Sequence, residues 1–304
     1  MIKRIRLIIW RILNYFRNIN NLQTILLNQG KILSNINQNK KYNILSDYEF
    51  KIFSQWGEDG IIDFLTTEVL VNNKTFIEFG VGDFSESNCR FLMMNSDWRG
   101  FVIDSSIKNI EKLKNSNYFW KYNLQALCAF INKDNVNELL KKSNFDKDLG
   151  ILSIDIDGND YHVLNNVSYF NPRIIICEFN PIFGTDRKIT IPYDSKFYRT
   201  KKHYSNLYWG TSINALRNLL SKREYTLIGT GMLGCNAYFV RNTLLTEQLK
   251  KLSRNPFCFN FNFRESRDRS GNLNFLTNEE RIKEIEDTEV LNVETNLIEK
   301  FNKN

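Results

Sequence analysis

The pattern of apolar and polar positions predicts a sheet of buried strands. Four short apolar runs each end at an acidic residue. One starts at Thr75 and ends at Glu78, and the others are 100–103 before Asp104, 149–154 before Asp155, and 173–177 before Glu178. Continuous apolar runs of this length are typical of strands that are buried on both faces of a parallel sheet. The carboxyl ends of such strands lie at one edge of the sheet, so we expect the four carboxylates to meet there.

Segments of helical periodicity alternate with these runs and predict the connecting helices. We expect crossover helices at 85–94, 108–115 and 135–142, a short strand around 119–124, a later helix at 211–222, and two antiparallel strands joined by a glycine-rich turn within 225–241. Strands and helices that alternate at this spacing predict an α/β fold. The expected fold is a Rossmann-like doubly wound mixed sheet with antiparallel terminal strands.

Composition divides the 304-residue chain into three parts: a basic amphipathic helical arm and connector at 1–46, the ligand-binding domain at 47–243, and a mainly helical tail at 244–304. The arm is expected to contain one helix in its first 17 residues and another in its connector. Near the start of the domain, Ser54 and Gln55 are expected to begin a further helix. Residues 181–210 form a long polar and aromatic insertion, and a loop of this length inside a compact domain is usually functional.

The formal charge of +7 is concentrated in the N-terminal arm. Residues 1–46 contain eight basic residues and no acidic residue, so the rest of the chain carries a net charge of −1. This distribution argues against nucleic acid as a partner of the domain. The first 17 residues interleave five basic residues with apolar ones, including Trp10, at helical spacing. Such a helix lies on an anionic membrane surface, or it packs on the domain or on a second subunit.

Cysteine usage predicts reduced thiols. The five cysteines are odd in number and lack C-x-x-C spacing: Cys89, Cys128, Cys177, Cys235 and Cys258. Free thiols are typical of a cytoplasmic protein, and Cys177 is expected to be buried within its apolar run. No apolar run reaches the roughly 18 residues that indicate a transmembrane helix. We therefore expect a cytoplasmic protein, which lies at the inner face of the membrane if the arm binds lipid.

A glycine motif indicates the ligand class. Glu78, Gly80 and Gly82 form E-x-G-x-G where the first strand ends, and glycine there allows a tight turn and close backbone approach to a ligand. Asp104 follows at roughly the 20-residue spacing of an acid that binds a ribose. The third glycine of a dinucleotide-binding G-x-G-x-x-G is absent. The motif therefore favours a ligand with a ribose but no pyrophosphate, such as S-adenosyl-L-methionine, over a nicotinamide dinucleotide.

The combined motifs resemble a known enzyme group. The segments FSQWGEDGII, FIEFGVGDFSESN, LSIDIDGNDYHV, EFN and CNAYFVR, spread over about residues 45–243, are similar to class I S-adenosylmethionine-dependent methyltransferases. The resemblance is to a bacterial group related to the FkbM type, which is commonly found among surface-polysaccharide genes. It implies that Glu78, Gly80 and Gly82 line the methionine end of the cofactor and that Asp104 holds its ribose.

The complete set of expected cofactor-binding residues is Gln55, Glu58, Glu78, Gly80, Gly82, Glu86, Asn88, Asp104 and Asp155. Gln55 and Glu58 lie on the predicted first helix of the domain. Two interpretations are open for their segment. It covers, as a lid, the edge of the sheet where the ligand is expected, or it is only a capped helix with a packing tryptophan.

The IDIDGND segment is similar to the D-G-D-type motif of metal-dependent sugar O-methyltransferases. Asp155 and Asp157, together with Glu178 or Asn180 from the next strand, offer the hard oxygen ligands that Mg²⁺ prefers. Alternatively, Asp155 only accepts a hydrogen bond from the cofactor's amino group, and Asp157 with Asp160 only caps the next turn. The sequence leaves both interpretations open.

Methyl transfer to a hydroxyl group requires a base for its proton. Of the two histidines, His203 lies in the insertion and is the expected base, whereas His162 is expected to be structural. Alternatively, His203 is only a solvated loop residue. In that case an aspartate of the IDIDGND segment, Asp155 or Asp157, is the base. The expected substrate-binding residues are Asn180, Tyr193, Arg199 and Tyr208, which suit a sugar or a sugar-linked group.

These features together predict an S-adenosylmethionine-dependent O-methyltransferase that acts on a sugar in capsule or lipopolysaccharide-type glycan biosynthesis. Two alternatives remain. One is a nicotinamide-dependent enzyme built on the same kind of sheet. The other is a non-catalytic scaffold of a glycan-biosynthesis complex that retains the fold.

Overall fold

The computed structural model describes residues 2–232, 235–257 and 265–302, so Cys258 lies outside the described residues. The strands are β1 (Thr75–Phe79), β2 (Arg99–Asp104), β3 (Leu124–Cys128), β4 (Ile151–Ile154), β5 (Ile174–Glu178), β6 (Ile189–Thr190), β7 (Tyr225–Thr230), β8 (Asn236–Arg241), β9 (Glu289–Asn292) and β10 (Leu297–Lys300). Seven of them form one sheet in the order β3-β2-β1-β4-β5-β8-β7.

The direction of the strands confirms the predicted fold class. β1 to β5 pair in parallel, β8 pairs antiparallel with β5, and β7 pairs antiparallel with β8. The edge strand β7 therefore runs in the same direction as the five parallel strands. The order reverses between β1 and β4, and ligands bind in the crevice at such a switch point, outside the carboxyl ends of the strands.

Helices cover both faces of the large sheet. The helices are α1 (Ile2–Gln38), α2 (Glu58–Glu68), α3 (Arg90–Ser96), α4 (Ile107–Lys114), α5 (Val136–Lys141), α6 (Asp160–Asn166), α7 (Arg199–Lys202), α8 (Ile213–Ser221), α9 (Glu247–Leu252) and α10 (Asn278–Glu284). α5, α6 and α8 pack their apolar side chains into the core on one face. α2, α3, α4 and α9 do so on the other.

Two predicted helices begin later than expected because carboxylates take the backbone N–H groups that precede them. α2 begins at Glu58 rather than at Ser54, since the buried Asp59 accepts the N–H groups of residues 52–54 and folds them into a turn. α3 begins at Arg90 rather than at residue 85, since Glu78 accepts the N–H groups of residues 88 and 89.

The third strand is displaced from its predicted position. Residues 116–121 form hydrogen-bonded turns, and the strand follows at Leu124–Cys128 rather than at 119–124. The arm also differs from the prediction, because α1 is a single helix from Ile2 to Gln38 instead of two. Its C-terminal half packs on the domain next to α2 and α3.

The prediction of a mainly helical tail was wrong. Residues 289–300 form the hairpin β9–β10, and β9 also pairs with β6 of the insertion, which makes a second, small sheet in the order β10-β9-β6. Val290 of β9 and Phe301 join the insertion's Trp209 in a third apolar cluster. This pairing with a distant segment overrides the helical tendency of the charged sequence.

The described cysteines Cys89, Cys128, Cys177 and Cys235 are free thiols, and Cys177 is buried as predicted. Among the described residues, no helix combines the length and the apolar character needed to cross a membrane.

The packing of the tail can be tested at Phe301, which is 4% exposed and contacts the ring of Phe183 edge to face with 5.2 Å between ring centroids. We expect Phe301→Ala to lower the free energy of unfolding by about 3–5 kcal/mol, because it leaves a cavity in the third cluster. Leu297→Ala is the control: Leu297 lies in the same hairpin but is 65% exposed, and the change should be within about 0.5 kcal/mol. Denaturant unfolding measures both, and equal effects would contradict the packing described.

Candidate active site

The turn after β1 requires glycine. Gly80 has φ +75°, and a Cβ on this residue would lie 1.6 Å from the carbonyl oxygen of Asp155. Gly82 has φ +54°, also in the left-handed region that favours glycine. The chain after β1 therefore passes directly over the end of β4, and the E-x-G-x-G motif brings two strand ends together.

Asp104, at the end of β2, faces this turn. Its Oδ2 accepts the N–H of Gly82 at 2.9 Å, and its Oδ1 accepts the N–H of Ser106 at 2.8 Å. β1 and β2 pair Phe79 with Ile103, so Asp104 stands beside Gly80. A carboxylate oxygen has more than one lone-pair site, so Asp104 can still accept hydrogen bonds from hydroxyl groups in the cavity that it lines.

Glu78 organises the loop that precedes α3. Its carboxylate accepts the Ser87 hydroxyl at 2.8 Å and the N–H groups of Asn88 at 2.8 Å and Cys89 at 3.2 Å. Burial raises the pKa of Glu78 to about 6, although these hydrogen bonds act in the opposite direction. Glu78 thus shapes the wall of the site through the loop.

Arg90 fixes the same loop from behind. Its buried guanidinium donates to the carbonyl oxygens of Phe84 at 3.2 Å and Ser85 at 3.1 Å. The group lies between the rings of Phe53 and Tyr118, 4.3 Å and 4.2 Å from their centroids. Nothing in the local sequence pattern distinguished this arginine, because both aromatic partners are distant in the chain.

Two adjoining cavities lie at this edge of the sheet. The main cavity, about 510 Å³, is lined by Gly80, Gly82, Ile103, Asp104, Ser105, Asn109, Ala129, Phe130, Ile131, Asp155, Ile156, Asp157, Asn159, Phe197, Tyr198, Arg199, Thr200, Asn206 and Glu265. The acidic cavity, about 240 Å³, is lined by Gln55, Glu58, Glu78, Phe79, Gly80, Val81, Gly82, Asp83, Ser85, Glu86, Ser87, Asn88, Asp155 and Asn236. Gly80, Gly82 and Asp155 line both cavities and mark their junction.

The lining of the acidic cavity has a strong charge bias. Five of its residues are acidic and, among the residues that the structure describes there, none is Lys, Arg or His. Glu58 accepts the N–H groups of Trp56 at 2.8 Å and Gly57 at 2.9 Å, so its carboxylate is fixed in position. Such a cavity attracts a cationic ligand and repels an anionic one.

The structure brings the three predicted metal-binding carboxylates together. Asp155, Asp157 and Glu178 each place an oxygen within 4.8 Å of the others. β4 and β5 pair Ile154 with Cys177, so Asp155 and Glu178 are the next pair along the edge. Glu178 Oε2 is buried and has no hydrogen-bond partner among the described residues. Burial, and next the charges of neighbouring acids, raise the pKa values of Asp155 and Glu178 well above their ordinary range.

Asp160 holds the loop that carries part of this cluster. It accepts the N–H groups of Ile156 and Gly158, each at 2.9 Å, and thereby folds the loop that carries Asp157. Burial raises the pKa of Asp160 to about 6. Of the two residues that the alternative interpretation assigned to this turn, Asp157 and Asp160, it is Asp160 that closes it.

Arg199 of the insertion reaches the cluster. Its guanidinium forms ion pairs with Asp157 at 3.0 Å and with Glu265 at 3.3 Å, and it lies 4.7 Å from the ring centroid of Trp209. The sequence predicted a site role for Arg199. Glu265 could not be found from the sequence, because it lies 66 residues after Arg199 and in no motif.

Apart from Glu178, which belongs to the carboxylate cluster, four predicted site residues line neither cavity. His203 Nδ1 lies 2.7 Å from the Ser205 hydroxyl, and its ring stacks on Tyr204. Tyr193 contacts Asp134 and His162, and the buried Tyr208 donates its hydroxyl to the carbonyl oxygen of Glu289.

Asn180 is the fourth of these residues and is fully buried. Its side chain donates to the carbonyl oxygens of Leu207 and Trp209, each at 2.9 Å, and accepts the N–H of Ile182 at 3.0 Å. Asn180 therefore anchors the insertion on the end of β5. A role for it in binding a substrate or a metal does not fit this geometry.

Among the lining residues that the sequence analysis missed are the aromatic side chains Phe130, Phe197 and Tyr198. Phe130 follows β3, and its ring centroid lies 5.8 Å from that of Tyr198. Phe130 was missed because β3 was predicted at 119–124, whereas the strand lies at Leu124–Cys128, just before Phe130. His162, predicted to be structural, is buried and lies 2.8 Å from the carbonyl oxygen of Ile191, which it holds against α6.

No model of a known protein family matches this chain, and no curated protein matches it. Among solved structures, the N-terminal domain of EvdMO1 with SAH bound is 8% identical, with 62% of this chain and 82% of that chain covered and a TM-score of 0.39. The O-methyltransferase from Bacillus cereus in complex with SAH is 12% identical, with 59% and 79% covered and a TM-score of 0.37.

A third solved structure, an S-adenosylmethionine-dependent methyltransferase from Clostridium acetobutylicum ATCC 824, is 9% identical, with 67% and 92% covered and a TM-score of 0.36. Similarities at this level carry no argument about the chemistry of this chain. The fold is read from its own strand order, and the chemistry from its own side chains.

The burial of Glu78 has a measurable consequence for stability. Between pH 4.5 and 6 the native protein holds a proton at Glu78 that the unfolded chain releases, so the free energy of unfolding falls as the pH rises through this range. We expect Glu78→Gln to remove this contribution, roughly 2 kcal/mol of the change between pH 4.5 and pH 7. Denaturant unfolding across this range measures the slope.

Glu86→Gln is the matched control, because Glu86 lines the same cavity but is exposed, and its slope should equal that of the wild type. An unchanged slope in Glu78→Gln would contradict the assigned pKa.

Proposed function

We propose that this protein is an S-adenosylmethionine-dependent O-methyltransferase. The observation that carries the proposal is the acidic cavity, which contains five carboxylates and opens past Gly80 and Gly82 into the main cavity beside Asp104. At its methionine end S-adenosylmethionine carries two cationic groups, an ammonium and a sulfonium, against one carboxylate, so this end is net cationic; its ribose lies in the middle. The charge of the acidic cavity and the position of Asp104 match this order of groups.

The same charge disfavours a nicotinamide dinucleotide. Its pyrophosphate is anionic, and in Rossmann-type sites it binds at the glycine turn and the N-terminus of the following helix. Here that turn borders the acidic cavity, and the helix α3 begins only at Arg90, after a loop that Glu78 holds. An anion at this position would face several carboxylates at close range.

The remaining parts of the cofactor fit the main cavity. We assign the ribose to Asp104 and the adenine to the apolar surface of Ile103, Ala129, Phe130 and Ile131, which line the cavity beyond it. Gln55, Glu58, Glu86 and Asn88, which the sequence analysis expected to bind the cofactor, line the acidic cavity, and we assign them to the methionine end with Asp155.

The donor set of the carboxylate cluster fits Mg²⁺. Asp155, Asp157 and Glu178 offer hard oxygen ligands at one point, and the partnerless oxygen of Glu178 is the kind of buried atom that a cation satisfies. We propose that these three residues hold Mg²⁺, which when bound orients the acceptor hydroxyl and lowers its pKa. Arg199 already pairs with Asp157, so it must share or release that carboxylate.

The reaction is the transfer of a methyl group from sulfonium sulfur to an acceptor oxygen, with formation of S-adenosylhomocysteine and release of the hydroxyl proton. We assign acceptance of that proton to Asp157, whose side chain is 61% exposed and faces the main cavity. The alternative base, His203, lines neither cavity. The protein's main contribution is then to align the acceptor with the methyl group.

A sugar is the acceptor class that we propose. The side of the main cavity formed by the insertion presents the rings of Phe197 and Tyr198 together with Asn159, Arg199 and Glu265. Aromatic faces and charged hydrogen-bonding groups in combination suit a polyhydroxylated ligand better than an apolar one. The placement in surface-glycan biosynthesis rests on the sequence resemblance to the FkbM-related group, and the cytoplasmic location rests on the cysteine usage.

Calorimetric titration tests the cofactor. We expect S-adenosylhomocysteine to bind the wild type and NADH not to bind. Asp104→Asn should weaken S-adenosylhomocysteine by about 10- to 100-fold, because charge-assisted hydrogen bonds to the ribose are lost. Asp186→Asn, an exposed aspartate of the insertion, is the control and should bind normally. Binding of NADH alone would sink the methyltransferase proposal, and cofactor binding without turnover on any sugar would favour the scaffold.

Variants of the carboxylate cluster test the metal site. In the presence of excess Mg²⁺ we expect the melting temperature of the wild type to rise, because an ion that binds only the native state stabilises it. Glu178→Gln should abolish this rise, whereas Glu265→Gln, which removes a nearby acid outside the cluster, should retain it. An equal rise in all three proteins would contradict the metal site.

Steady-state kinetics separates the candidate bases. Asp157→Asn should lower kcat by about 10²- to 10⁴-fold, and His203→Ala should leave it nearly unchanged. The reverse order would restore the base role that the sequence predicted for His203.

A further inference from the structure

The N-terminal helix has two halves that differ in their surroundings. In its C-terminal half, Leu26, Leu27 and Leu33 contact an apolar cluster of the domain, and Gly30 lies so close to Phe91 that a Cβ there would be 2.4 Å from the ring. Asn37 donates to the carbonyl oxygen of Tyr48 at 2.7 Å. This half of α1 is therefore fixed on the domain, whereas the two interpretations of the sequence concerned the first 17 residues.

The other half, residues 2–22, is here called the N-terminal half. The described side chains of its first turns are exposed: Leu7 by 48%, Ile9 by 50% and Trp10 by 60%, together with Arg6 and Arg11. A helix of this length spans about 30 Å. Large apolar side chains exposed along such a helix indicate a partner surface, since most helical stability in proteins comes from packing of an apolar face.

Charge identifies the kind of partner. Residues 1–46 contain eight basic residues and no acidic residue, so two copies of the arm placed side by side repel each other. An anionic lipid surface has the complementary charge, and it accepts apolar side chains between its headgroups. Trp10 is of the residue type that settles at the boundary between headgroups and acyl chains.

We propose that the N-terminal half of α1 docks the protein on an anionic lipid bilayer. The helix lies in the plane of the surface, with Leu7 and Trp10 among the lipid headgroups and acyl chains. Arg6 and Arg11, which flank this pair around the helix, lie at the lipid phosphates. The fixed half of α1 connects this helix rigidly to α2 and α3, which flank the loops of the acidic cavity. The docking is independent of the methyltransferase proposal, because it uses no residue of either cavity.

Vesicle sedimentation of the full chain tests the docking. We expect the wild type to sediment with phosphatidylcholine vesicles that contain phosphatidylglycerol, and to do so less in high salt or with phosphatidylcholine alone. Arg6→Gln combined with Arg11→Gln should weaken the partition roughly 30-fold, since each basic residue near the surface contributes about one factor of five. The control pair Lys222→Gln and Lys251→Gln, exposed on the domain, should sediment like the wild type.

Two further readouts make the outcome decisive. A blue shift of tryptophan fluorescence on addition of the anionic vesicles should disappear in Trp10→Phe while sedimentation persists. The melting temperatures of all variants in the absence of lipid should equal that of the wild type, because the altered side chains are exposed. Failure of the wild type to bind, equal binding by the arginine variant, or a dimer in light scattering that Trp10→Ser dissociates would overturn the proposal.

Discussion

The arrangement of this protein depends on the close passage of the backbone at Gly80 over the end of β4. Only a residue without a side chain fits, since a Cβ would meet the carbonyl oxygen of Asp155 at 1.6 Å. Because of this contact, the end of β1 lies directly beside the end of β4, and Asp104 closes on Gly82 from the other side. The junction of the two cavities is formed by the same residues. A larger residue at this position would separate the strand ends and with them the carboxylates that face the ligand.

Burial of several carboxylates at one edge of the sheet opposes folding, and backbone N–H groups that donate to them offset only part of this cost. Glu78, Asp59 and Asp160 each accept backbone N–H groups, yet the pKa of each remains raised to about 6. Burial and the charges of neighbouring acids raise the pKa values of Asp155 and Glu178 well above their ordinary range. Proteins retain such unfavourable clusters where a cationic ligand or a reaction requires them. The proposed cofactor and metal ion supply the missing positive charge.

The sheet could be predicted from the sequence because buried parallel strands leave continuous apolar runs, and because their acidic ends and the glycine turn follow at regular spacing. The clustering of Asp155, Asp157 and Glu178 follows from strand adjacency alone. The hairpin of the tail could not be predicted, since β9 is stabilised by pairing with β6, about a hundred residues earlier. Glu265 and Arg90 depend on similarly distant contacts. His203 was misplaced because residue type and loop position say nothing about the direction in which the loop folds.

The most direct test of the account is a crystal structure of the protein grown with S-adenosylhomocysteine. We expect the amino acid end of the ligand to lie in the acidic cavity beside Asn88 and the ribose hydroxyls to lie against Asp104. The sulfur should lie at the junction formed by Gly80 and Asp155. A ligand bound elsewhere, or one turned so that its adenine occupies the acidic cavity, would contradict the central claim that the charge of this edge selects the cofactor.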